Sequence, residues 1–100
     1  MKTKEFYNEA LELVCNIMNV QEKDIFQSNK EMCVDARYIL VGNLSDYFTD
    51  EEIVRLTGIA RSTANKIRNG FRYKMKKFTF RYNYHEVTDA MSKLAGSLWG

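Results

Sequence analysis

The sequence contains no proline and only five glycines in 100 residues. Strand-rich domains use both residue types at their tight turns, so this shortage favours a helical fold. The longest uninterrupted apolar run is the four residues Tyr38–Val41, whereas a transmembrane helix needs about 20. We therefore expect a single all-α domain over residues 1–100, with no membrane-spanning segment.

Residue types that carry catalysis or bind metals are also sparse. The chain has one histidine, His85, and two cysteines, Cys15 and Cys33, whose separation matches no zinc motif. Because no secretory signal follows Met1, we expect a cytoplasmic protein in which both thiols are buried and reduced. No nucleophile–base set or ligand cluster is visible, so we expect neither an enzyme nor a cofactor or metal site.

Acidic residues are absent from one third of the chain. Residues 53–85 contain nine Lys or Arg and no Asp or Glu, whereas residues 1–52 carry a net charge of −6 and residues 86–100 one of −1. The formal total of +2 conceals this asymmetry. A basic segment this one-sided is typical of proteins that bind a polyanion, and nucleic acid is the first candidate.

Hydrophobic periodicity predicts a bundle-like domain of five helices. They cover residues 4–18, 29–46, 50–57, 62–75 and 78–95, and residues 24–27 are compatible with a short helical turn. Two inner faces are predicted. The first helix contributes Phe6, Ala10, Leu13, Val14, Ile17 and Met18, and the second contributes Cys33, Ala36, Ile39, Leu40, Asn43 and Leu44.

Capping patterns predict where several helices begin. Ser28 with Glu31 and Thr49 with Glu52 have the spacing of capping boxes, in which the two side chains bond each other's backbone N–H groups. Ser62 is the predicted N-cap of the fourth helix.

Three glycines have predicted structural roles. Gly58 would end the third helix at positive φ, and Gly42 would allow a close helix crossing. Gly96 would end the last helix, leaving residues 96–100 either as a flexible tail or as an anchor in which Trp99 docks. 

Residues 78–84 alternate aromatic and polar side chains, which is also typical of a strand. Their helical spacing continues to Leu94, so we predict a helix there.

The segment 50–75 has the organisation of a helix-turn-helix. A helix is followed by the turn Gly58–Ala60 and a second helix, with small or apolar residues where the two would cross. Polar side chains on the outer face of the second helix suit a major groove. The predicted base or groove contacts are Arg61, Ser62, Thr63, Asn65, Lys66 and Asn69. The predicted phosphate contacts are Lys30, Arg55, Arg68, Arg72, Lys74 and Lys77.

Three stretches, which together span roughly residues 20–95, resemble the C-terminal DNA-binding domain of DnaA, the bacterial replication initiator. They are Ser28–Arg37, Gly58–Ala64, and Phe80-Arg81 with Tyr84 and Val87. The resemblance implies an all-helical, Trp-repressor-like fold whose recognition helix begins near Ser62. Ser62 and Thr63 match the family signature, whereas Ala60 and Arg61 stand where the family has Asp and His.

We therefore expect a module that binds duplex DNA in replication or transcription control. It would act without an ATPase domain, because the sequence has no glycine-rich phosphate loop. The alternative is a protein-interaction module whose basic face binds an acidic partner and not DNA. A homodimer is left open.

Aromatic residues alternate with bases between Phe71 and Tyr84, a composition that also suits stacking on unpaired bases. We expect Phe80 and Tyr84 to belong to the core, and Tyr73 and Tyr82 to be exposed.

Overall fold

The computed structural model describes residues 2–99, which form six helices joined by short connections. They are α1 (Lys2–Met18), α2 (Glu22–Ile25), α3 (Glu31–Leu44), α4 (Asp50–Thr57), α5 (Arg61–Lys74) and α6 (Phe78–Trp99). No strand occurs among the described residues, so the all-α class is confirmed and residues 78–84 are helical. The expected five helices become six, because the short helical turn allowed at 24–27 forms as a helix that begins two residues earlier, at Glu22, and ends at Ile25.

α3 is the central helix of the molecule. It packs against α1, α2, α5 and α6, so side chains on most of its circumference are buried. All six residues of its predicted inner face are buried. Asn43 is polar but buried, and it joins α3 to α6: its Nδ2 donates to the Ile39 carbonyl, and its Oδ1 lies 2.9 Å from Thr88 Oγ1.

α1 and α6 pack against each other and against α3. The buried face of α1 is rotated toward Tyr7 and Cys15, compared with the prediction. Ile17 therefore lies at the edge of this face and is 37% exposed, so its predicted place in the core is wrong.

The end of α6 also differs from the prediction. The helix does not stop at Gly96 but continues to Trp99. The indole ring of Trp99 lies 4.6 Å from the ring of the fully buried Phe6, measured between centroids. Residues 96–99 are thus helical, and the contact of Trp99 with Phe6 corresponds to the anchor alternative; Gly100 lies outside the described residues.

Two glycines bring α3 and α5 close together. A Cβ placed on Gly42 of α3 would lie 2.5 Å from Cε2 of Phe71, and one placed on Gly70 of α5 would lie 3.3 Å from the Tyr38 ring. The Phe71 ring of α5 therefore packs against Gly42 of α3, and the Tyr38 ring of α3 packs against Gly70 of α5. The close crossing predicted at Gly42 is confirmed.

The two boundaries of α4 are set locally, as predicted. The Glu52 N–H donates to Thr49 Oγ1 (3.3 Å), and the Thr49 N–H donates to Glu52 Oε1 (2.9 Å), which completes the capping box. The hydrogen bonds that the Glu52 carboxylate accepts from the Thr49 N–H and from the Thr49 hydroxyl hold the pKa of Glu52 below its usual range. Gly58 ends the helix at φ +78°, in the left-handed region that favours glycine.

Two other predicted caps are wrong. Ser28 Oγ accepts the Lys30 N–H in a local turn, while the Glu31 carboxylate bonds Lys77, so no capping box forms and α3 begins at Glu31. α5 begins at Arg61 after an extended Ala60, because only two residues separate Gly58 from the first helical residue; Ser62 is therefore inside the helix and not its N-cap.

Candidate nucleic-acid interface

α4 and α5 form a contacting pair joined by the three residues 58–60. Ile53 of α4 is buried, as are Ala64 and Ile67 of α5. The Ile59 N–H donates to Thr57 Oγ1 (3.3 Å), which stabilises the turn between the two helices. Burial of one side of α5 determines which of its side chains point outward.

The outward side of α5 is polar and basic. The 14 residues of this helix extend over about 21 Å. Six of its exposed predicted contacts follow helical spacing along one side, and they are Arg61, Ser62, Asn65, Lys66, Asn69 and Arg72. Thr63 is half-buried and lies at the edge facing α3. The structure thus places most of the predicted groove contacts on one accessible face, which we call the α5 face.

Three of the predicted phosphate contacts form ion pairs with acidic residues of α3 and α4. Arg68 Nη1 donates to Asp50 Oδ2 (3.0 Å), Lys74 Nζ donates to Asp35 Oδ1 (2.8 Å), and Lys77 pairs with Glu31. Lys77 Nζ also lies 3.7 Å from Asp35 Oδ2. These pairs attach both sides of α5, and the connection that follows it, to α3 and α4.

A charged hydrogen bond and a cation–π contact stabilise the positions of Lys77 and Lys74. The hydrogen bond between Lys77 and Glu31 raises the pKa of the lysine and lowers the pKa of the glutamate. The Lys74 ammonium also lies 5.1 Å from the centre of the Tyr38 ring. Both lysines therefore point toward α3 and away from the α5 face.

Lys30 and Arg55 are both exposed. Arg55 lines a surface pocket between α4 and the start of α1. Lys30 immediately precedes α3, next to Asn29, which lines a pocket of about 250 Å³ together with Thr63 and Lys66. The loop before α3 is thus adjacent to the first half of α5.

Sequence reasoning missed the residue that holds this loop in place. Arg37 Nε donates to the Ile25 carbonyl (2.8 Å), and its Nη2 donates to the Ser28 carbonyl (2.7 Å). Arg37 is half-buried and lines the same pocket as Thr63. The only signal in the sequence was its position inside the stretch Ser28–Arg37.

Other kinds of site find no support in the part of the chain that the structure describes. No three His, Cys, Asp or Glu side chains within residues 2–99 are grouped so that they could hold a metal ion. No helix in this range is long and apolar enough to cross a membrane. Cys15 and Cys33 are both buried, as expected, and burial raises the pKa of the Cys15 thiol to about 11.

No protein-family model, no curated protein and no solved structure matches this chain.

Proposed function

We propose that this protein binds duplex DNA by inserting α5 into the major groove, as a helix-turn-helix module of the DnaA C-terminal type with a Trp-repressor-like fold. The observation that carries this proposal is the α5 face, an exposed, acid-free helix surface flanked by ion pairs to α3 and α4. A helix of this kind fits the width of a B-form major groove. Replication or transcription control is the process in which such a module would act.

The side chains of the α5 face suit base edges. Asn65 and Asn69 are one helical turn apart and exposed, and an asparagine amide pairs with the N6 and N7 atoms of adenine. Arg61 and Lys66 are donors of the type that binds guanine O6 and N7. These four residues lie in the first two-thirds of α5, the part that helix-turn-helix proteins place against bases.

The ion pairs reduce the number of cations available for phosphates. Of the six predicted phosphate contacts, Lys30, Arg55 and Arg72 are exposed and form none of the ion pairs found within residues 2–99, although the charge of Arg55 acts on the Glu52 carboxylate. Three neutralised phosphates give a slope of log K against log[salt] of about −2.7, whereas six would give about −5.4. We expect the shallower slope.

Binding to a random-sequence duplex at low salt, followed by mobility shift and by fluorescence anisotropy, tests the proposal. The double variant Arg61→Ala, Lys66→Ala removes two cations from the α5 face and should weaken binding at least tenfold. Lys2→Ala, Lys23→Ala is the matched control, because it removes the same charge from exposed positions on α1 and α2.

Absence of a shift with any duplex at low salt would rule out the proposal, as would an equal loss in both double variants. Co-purification of one acidic protein, together with indifference to DNA, would favour the interaction module instead.

A further inference from the structure

Three aromatic side chains are exposed where α5 meets α6. Tyr73 is 75% exposed, Phe78 69% and Tyr82 55%. Exposing a phenylalanine to this extent forgoes the stabilisation that its burial would provide. Together with the neighbouring cations Lys76 and Arg81, we call this surface the aromatic corner.

These three rings lie outside the hydrophobic core, to which the same segment contributes other aromatic residues. Phe71, Phe80 and Tyr84 from the same segment pack edge to face, with centroids 5.5 Å apart for Phe71–Phe80 and 5.0 Å for Phe71–Tyr84. Phe80 is fully buried and the other two are half-buried. The segment therefore provides one set of aromatic residues for packing and a second set that faces solvent.

Cations are held over the exposed rings. Lys76 Nζ lies 5.7 Å from the centre of the Tyr73 ring, and the Arg81 guanidinium lies 5.8 Å from the centre of the Phe78 ring. Arg81 Nη1 also donates to the Met75 carbonyl (2.9 Å), which fixes the guanidinium at the start of α6. Phe78 and Tyr82 are nearly parallel, with 25° between their planes and 6.4 Å between their centroids.

Lys76 and Arg81 of the aromatic corner form no ion pair with any of residues 2–99. No Asp or Glu occurs between Ile53 and His85, and the first one beyond is Glu86, one helical turn past Tyr82. The neighbouring Lys74 and Lys77 are bonded to acids of α3, so these acids do not offset the charge of Lys76 and Arg81. Flat rings beside uncompensated cations are the combination that binds unpaired bases and their phosphates.

We propose that the aromatic corner binds single-stranded nucleic acid, with bases stacked on Phe78 and Tyr82 and phosphates beside Lys76 and Arg81. Every base has a π face, so this binding tolerates different sequences. The site is separate from the α5 face, and it does not require α5 to enter a major groove.

Fluorescence anisotropy with labelled oligodeoxythymidylate and oligouridylate of about 12 nucleotides tests the site at low salt. Phe78→Leu keeps an apolar side chain but removes the π face, and it should weaken binding about tenfold. Phe78→Trp should restore or strengthen binding. Met32→Ala, which shortens an exposed apolar side chain on α3, is the control and should bind like the wild type.

Because Phe78 and Tyr82 are exposed, their variants should unfold at nearly the wild-type temperature, which circular dichroism verifies. Binding of either oligonucleotide that is lost in Phe78→Leu supports the proposal, and the preferred one identifies DNA or RNA as the ligand. The absence of binding to both, or equal affinity of Phe78→Leu and the wild type, overturns it. Duplex binding by Phe78→Leu reports separately on the α5 face, so the two proposals can fail independently.

Discussion

Lys74 at the end of α5 donates a hydrogen bond to Asp35 of α3 across 2.8 Å, although the two residues are 39 positions apart in the chain. The Asp35 side chain is 7% exposed and that of Lys74 21%. Lys74, which we predicted from the sequence to contact a phosphate, thus attaches α5 to the central helix α3. The α5 face is oriented by residues that do not belong to it.

Replacing Asp35 should destabilise the fold. We expect Asp35→Ala to lower the free energy of unfolding by about 2 kcal/mol, because the Lys74 ammonium is left partly buried without its partner. Urea denaturation measures the change. Glu31→Gln, which breaks the exposed pair with Lys77, should cost much less. Equal losses in the two variants would contradict the difference in burial.

Cations on α5 and on the connection that follows it should contribute to DNA binding according to whether they are ion-paired. Arg72→Ala should make the slope of log K against log[salt] shallower by about 1, because its guanidinium is exposed and available to a phosphate. Lys77→Ala should change the slope little, because Glu31 already bonds its ammonium. Titrations of a labelled duplex at several salt concentrations measure both slopes. The opposite order would mean that the ion pair opens when DNA binds.

The close crossing of α3 and α5 should tolerate no side chain at Gly42. Gly42→Ala should lower the free energy of unfolding by about 1–3 kcal/mol, because the new Cβ would overlap the Phe71 ring, which Phe80 and Tyr84 support from behind. Gly96→Ala is the matched control on α6. Nothing lies within 4 Å of a Cβ there, so alanine should stabilise the helix by about 0.5–1 kcal/mol. Thermal unfolding of both variants should show shifts of opposite sign.

Alkaline pH should destabilise the protein through Tyr7 and Cys15. Burial raises the pKa of Tyr7 from 10.0 to about 12 and that of Cys15 from 9.0 to about 11, and the charge of Glu22 adds to both shifts. Between pH 9 and 12 the unfolded chain therefore binds fewer protons than the folded one, so stability falls as the pH rises. Urea denaturation as a function of pH measures the decline.

Tyr7→Phe should make this decline shallower above pH 10, because one of the two shifted ionisations is removed. Unfolding curves of both proteins at pH 7, well below both pKa values of Tyr7, provide the reference. A decline of equal steepness in Tyr7→Phe and the wild type would contradict the assignment to Tyr7.

Features that depend on near neighbours in the chain were predictable. The capping box of Thr49 and Glu52, the left-handed Gly58 and the helical class of residues 78–84 all follow from spacings of a few residues, where backbone geometry and side-chain reach decide the outcome. The same local reasoning failed for Ser28: α3 begins only at Glu31, Ser28 Oγ accepts the Lys30 N–H, and Glu31 bonds Lys77, which is 46 positions away.

An all-helical chain, its main helix positions and a basic segment on the helix that follows Gly58 could be read from residue spacing and charge alone. Which lysine and arginine side chains remain available to a phosphate depends on the folded arrangement, because Asp35, Asp50 and Glu31 bond Lys74, Arg68 and Lys77 across 18 to 46 positions of chain. The folded arrangement also decided that α6 extends to Trp99, where contact with Phe6 outweighs the weak helix propensity of Gly96. These outcomes depend on which surfaces meet in space, and hydrophobic periodicity identifies the buried face of a helix without identifying what covers it.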